Sequence, residues 1–176
     1  MRLTLSLAAV AATFAAASPA FAQAVTPTAT ATAEAEARGV VLLPLTLTKT
    51  SDLDFGTIIA DVTLPGSVAI DADDGSRTVT GGVIEVPNFT YSRGLFQGAG
   101  TEDQDVALTF NPPAVLTSGS NTITVTSMVL DQSDSRVRTI DATKAFSVGV
   151  GGEFAIDAGQ APGLYTAQFD LTADYQ

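Results

Sequence analysis

The residues best suited to chemistry form one acidic run, Asp71-Ala72-Asp73-Asp74-Gly75. Paired carboxylates hydrolyse glycosidic bonds or hold calcium. A twelve-residue calcium loop needs glycine sixth and glutamate twelfth; counting from Asp71, those places hold Ser76 and Gly82. Asp and Gly are also preferred turn residues, so a hairpin turn is the reading the run supports best. Ser118-Gly119-Ser120 offers a nucleophile, but the chain has no histidine, so the base would have to be Lys49 or Lys144. Neither lies in a serine–lysine motif, and a turn fits this stretch better. Phe89, Tyr91 and Phe96, near Arg93, form a candidate ligand loop for stacking on a sugar, or else cover the open end of a sandwich. No catalytic residue, metal ligand or cofactor follows from these stretches, and the expectation is a protein that is not an enzyme.

Composition narrows the classes further. The absence of cysteine excludes a disulfide framework and thiolate metal sites, and the absence of histidine removes Ser-His-Asp catalysis and histidine–zinc sites. Arg2, the apolar run Leu3 to Ala17, and Pro19 before Ala20-Phe21-Ala22 read as a signal peptide over residues 1–22. The run is shorter than the ~20 residues a membrane span needs. Cleavage after Ala22 leaves seven basic and nineteen acidic residues, a formal charge of −12; cleavage after Ala24 fits nearly as well. That acidity argues against nucleic acid as a partner.

The elements that would carry any site are strands. Residues 23–38 alternate strictly, with Val25, Pro27, Ala29, Ala31, Ala33, Ala35 and Ala37 on one parity and mostly Thr and Glu on the other. This N-terminal extension reads equally as a disordered linker or as a segment that becomes a strand on meeting a sheet edge. Residues 39–176 form the β-domain. The patterning predicts strands over Val40 to Thr48, Ile58 to Val62, Ser67 to Ile70, Arg77 to Thr80, Val83 to Val86, Leu95 to Gly98, Val106 to Phe110 and Thr122 to Leu130. Leu116 is expected to tuck under the turn that follows it, and Asp131 to Thr143 to form a polar excursion. Phe146 to Val150 and Glu153 to Ile156 are expected to form a hairpin through Gly151-Gly152. Gly163 to Gln176 is the most regular strand, with Tyr165, Ala167, Phe169, Leu171, Ala173 and Tyr175 on one face. Roughly eight to ten short strands, with no amphipathic helix after the signal peptide, predict an all-β, immunoglobulin-like β-sandwich.

Gly163 on the same face as Tyr175, with an alternating strand between them, resembles the C-terminal signature of pilins assembled by the chaperone–usher route. Asp52-Leu53-Asp54-Phe55-Gly56-Thr57 looks like the turn of the archaic, spore-coat-U-like branch of those pilins. More broadly, the chain resembles the bacterial domain-of-unknown-function family numbered 4402. That likeness lies in the alternating N-terminus, Pro44 to Thr50, Thr80-Gly81-Gly82-Val83, Val148-Gly149-Val150-Gly151-Gly152 and Gly163-Leu164-Tyr165.

The resemblance implies an incomplete sandwich completed by strand exchange. Its partners would be a periplasmic chaperone, an outer-membrane usher and neighbouring copies, and its destination the periplasm and then a surface fimbrium. Gly163, Tyr165, Ala167, Phe169, Leu171, Ala173 and Tyr175 would belong to the assembly strand; Val25, Ala29, Ala31, Ala33, Ala35 and Ala37 would be the donor knobs. Five buried alanines supply only ~4 kcal/mol, two- to four-fold less than Leu, Ile or Val knobs would. Either backbone pairing carries most of the affinity, or the extension pairs in cis with its own domain. The resulting expectation is a non-catalytic structural fibre subunit; the alternative is a self-complete secreted β-domain that binds a ligand such as a glycan.

Overall fold

Val, Ile and Thr recur through the body at alternate positions, a pattern that favours pleated, half-buried strands over helices. The computed structural model describes residues 30–176. The signal-peptide residues 1–22, with Val25 and Ala29 of the extension, lie outside the described residues. Residues 40–176 form one contact unit. Its strands are β1 (Thr46–Ser51), β2 (Ile58–Ala60), β3 (Gly66–Ile70), β4 (Arg77–Gly81), β5 (Val83–Glu85), β6 (Gly94–Ala99), β7 (Asp105–Asn111), β8 (Val115–Ser118), β9 (Asn121–Leu130), β10 (Val137–Thr139), β11 (Ala145–Ile156) and β12 (Asp170–Tyr175).

The long strand β11 organises the larger sheet. Val150 pairs with Gly94 and also with Leu130, so β6 and β9 lie on its opposite edges. Gly152 pairs with Ile70 and with Met128, so β3 takes over from β6 on the first edge. β1 extends the sheet beyond β6, β4 beyond β3, and β8 beyond β9. A three-stranded sheet, β10-β7-β12, supplies the second layer, and β2 pairs with β5 in a short ribbon. Every strand pair is antiparallel.

Two clusters fill the space between these layers. The first joins Val106, Leu108 and Phe110 of β7 to Phe146, Val148 and Val150 of β11, with Leu130 and Ile140. The second gathers Val68, Val83, Ile123, Phe154 and Ile156 beneath the β2–β5 ribbon. The fold is therefore an all-β sandwich, as the strand pattern implied.

Several local expectations are corrected. Gly151-Gly152 is no hairpin turn: β11 runs through it unbroken. A Cβ at Gly149 would fall on the Ala72 carbonyl, and one at Gly151 on the Ile70 carbonyl. These glycines admit the close approach of the chain leaving β3, a second use of glycine inside strands. The first body strand starts at Thr46, not Val40, because Pro44 has no N–H for a ladder. Leu116 lies in a strand, β8, paired with Ile123. Asp131 to Thr143 is more than a polar excursion, since it contains β10, which pairs with β7.

That excursion opens with a single left-handed turn at Gln132, Ser133 and Asp134, whose φ angles are 55°, 58° and 58°. Two carboxylates hold it. Asp134 Oδ1 accepts the Leu130 N–H at 2.9 Å, and that bond, with Arg136 beside it, keeps the Asp134 carboxyl below the usual carboxylate range. Asp131 pairs with Arg138, whose guanidinium is buried and also donates to the Ser135, Val137 and Ser147 carbonyls.

Candidate functional site

The strand Asp170–Tyr175 lies in register with β7, from Asp170 opposite Asn111 to Tyr175 opposite Val106. Its outward residues, Asp170, Thr172 and Asp174, are exposed. The inward residues of β7 are closed off, with Val106 0%, Leu108 5% and Phe110 7% exposed. Leu171, Ala173 and Tyr175, on the same inner face one strand over, are all only half-buried. Among the described residues β12 has no strand on its other edge, and β1 pairs only with β6. Leu45 and Leu47 on the β1 side are half-buried too. Together they make a half-open apolar strip, referred to below as the groove, beside two unpaired strand edges; an unpaired edge is what an added strand pairs with.

At one end the flanks are tied together. Tyr175 donates its hydroxyl proton to the Leu43 carbonyl at 2.8 Å and accepts the Thr101 N–H at 2.8 Å. Leu43 N–H donates to Thr101 Oγ1 at 2.7 Å. This clasp uses the tyrosine's amphipathic character, with its ring against the core and its hydroxyl on backbone.

At the other end the groove widens into a slot of about 570 Å³, lined by Leu53, Phe55, Leu116, Met128, Tyr165 and Phe169, among others. The expected strand Gly163 to Gln176 is shortened here, because Pro112-Pro113 cannot donate to it. Pairing resumes past that gap at Thr166, which exchanges bonds of 2.9 and 3.0 Å with Thr117 of β8. Gly163 and Ala167 are exposed on the rim; Tyr165 and Phe169 turn inward. Phe169 meets Phe96 and Phe110 edge to face, with ring centroids 6.1 and 5.5 Å apart.

The opposite wall is the turn Asp52 to Thr57. Asp54 Oδ1 accepts the Gly56 N–H at 2.8 Å, and Gly56 has φ +75°, which only glycine adopts at low cost. Arg77, its side chain buried, donates to the Phe55 carbonyl at 3.1 Å under the ring of Tyr91. Phe55 thereby faces Phe154, with centroids 4.5 Å apart.

The other candidates take structural places. Asp71 Oδ1 accepts the N–H groups of Asp73 and Asp74 at 2.7 and 3.1 Å, and Asp73 Oδ1 accepts that of Gln132 at 2.7 Å. Asp74 accepts the Ser76 N–H, the chief cause holding its carboxyl below the usual range. Arg93 reaches this turn and donates to the Ala72 and Asp73 carbonyls. The carboxylates thus serve backbone N–H groups, those of their own turn and of Gln132, and among the described residues no group of three acids is placed to hold a metal ion. Ser118-Gly119-Ser120 is the β8–β9 turn, with Gly119 at φ +61°. Phe89, Tyr91 and Phe96 do not share a face: Phe96 packs on the first cluster, Tyr91 covers Arg77, and Phe89 is exposed.

Residues 30–39 form neither helix nor strand, and Ala31, Ala33, Ala35 and Ala37 are exposed. Arg38 donates to Glu36 at 2.8 Å. The Tyr175 clasp and the Met128 wall of the slot went unread in the sequence; an aromatic residue closing the alternating stretch was the one available signal for the clasp.

No curated protein matches the chain, and no solved structure matches it. The family described as Domain of unknown function (DUF4402) matches residues 45–175, both flanks of the groove included. The chain belongs to that family.

Proposed function

We propose that this protein is a non-catalytic structural subunit of a surface fibre, assembled by strand exchange into the groove between β1 and β12. The carrying observation is the step in burial between neighbouring strands. The inner side chains of β7 are closed off, whereas those of β12, with the same alternation, remain half-open. Among the described residues no strand covers Leu171, Ala173 and Tyr175, and one further strand would. Backbone bonds to such a strand give affinity, and its alternate side chains fill the floor. The alternating extension supplies a segment of matching parity. The signal-peptide reading and the resemblance to archaic chaperone–usher pilins support export, chaperone delivery to an usher, and an immunoglobulin-like incomplete domain.

Deleting residues 25–38 from the chain that starts at Gln23, then adding that segment as a free peptide, tests this. The expected result in sedimentation is loss of self-association on deletion and uptake of one peptide per body. A truncated chain that still self-associates and takes up no peptide contradicts the proposal.

A further inference from the structure

Among the described residues, two open apolar features of the body lie at opposite ends of the groove. One is the slot beside Leu53, Phe55, Tyr165 and Phe169. The other is the pair Val40 and Val41, 86% and 96% exposed at the root of the extension. We infer that Val41 of one copy seats in the slot of a second copy, and that this contact anchors the exchanged strand. The inference rests on the strand-exchange reading and adds to it the anchor residue and the direction of assembly.

Reach excludes the same-chain alternative for this contact. Leu43 is held at the Tyr175 end by its bonds to Tyr175 and Thr101. The slot begins at Asp52 and Leu53, beyond the whole of β1. Leu43 to Leu53 is about 33 Å of extended chain. Val41 is two residues from Leu43 and reaches at most ~7 Å from it. The alanine knobs could fold back along β12 in cis; Val41 cannot enter its own slot.

Parity agrees with a second copy. Val41 shares the odd parity of Ala31, Ala33, Ala35 and Ala37, so one extended segment turns all five to the groove. With Val41 in the slot, the segment runs on toward Tyr175, antiparallel to β12, and the alanines meet the shallower floor already part-filled by Phe169 and Leu171. The β-branched valine takes the deep end, where alanine leaves space unfilled. A patch at one end of a molecule fitting a pocket at the other is a heterologous contact, which adds copies without closing.

The test uses the full chain from Gln23. Val41→Asp is expected to weaken self-association at least tenfold in sedimentation while leaving unchanged the thermal midpoint measured at concentrations where the parent is dissociated, because the side chain is exposed in the single copy. The chain has no cysteine, so Val41→Cys with Leu164→Cys on the slot rim gives a clean cross-link. Oxidation is expected to produce a ladder of linked copies. A disulfide within one copy, no linkage, or unaltered association of Val41→Asp overturns the contact. If deletion of residues 25–38 abolishes association while Val41→Asp does not, strand exchange stands and the anchor falls; if neither change matters, both fall.

Discussion

Replacing Asp131 with alanine is expected to lower the free energy of unfolding by about 3–5 kcal/mol, the cost of leaving a buried charge without its partner. Arg138 is 4% exposed, and Asp131 is the carboxylate that neutralises it. The carbonyls of Ser135, Val137 and Ser147 satisfy its N–H groups but do not balance its charge. A loss of this size is a large share of the ~5–15 kcal/mol that holds a domain together. Chemical denaturation measures it. Removing both partners, as Asp131→Leu with Arg138→Met, is expected to cost less than Asp131→Ala alone. A single variant as stable as the parent would show that the pair does not hold the left-handed turn against β11.

The second large effect is expected at Phe169→Asp. Truncating a fully buried phenylalanine costs about 3–5 kcal/mol; Phe169 is half-buried, so the lower end of that range is expected, with the lost edge-to-face contacts to Phe96 and Phe110 included in it. The carboxylate would also sit at the junction of slot and strand, against apolar side chains. Exported protein is expected to fall to a small fraction of the parent level, with peptide uptake lost. Phe169→Leu, which keeps an apolar filling, is expected to retain most of both. Unchanged yield and uptake in Phe169→Asp would remove this residue from the groove's working floor.

Strand positions were most legible where alternation was strict. Val106 to Phe110, the Ile123 and Val125 half of β9, and Leu171 to Tyr175 all fall on the expected faces. Glycine misled because one residue type serves two purposes: Gly151-Gly152 has the composition of a turn, yet its missing side chains make room for the backbone near Ala72. Arg138 misled for a different reason. Arginine in a polar stretch reads as surface, and its burial depends on Asp131, fixed by a turn that no glycine announces. The groove was legible on its β12 side alone. Its slot is assembled from segments near residues 53, 116, 128 and 165, which no local pattern connects. The clasp likewise joins Leu43, Thr101 and Tyr175 across most of the chain.

Amide hydrogen exchange along β12 tests the open edge most directly. In the body lacking residues 25–38, the Asp170–Tyr175 amides bonded to β7 should exchange slowly, and the alternate ones facing the empty edge quickly. Adding a peptide of residues 25–42 should slow that second set at least tenfold, together with the outward amides of β1. Equal protection of both sets before the peptide is added, or no slowing after it, would contradict a groove completed by an added strand.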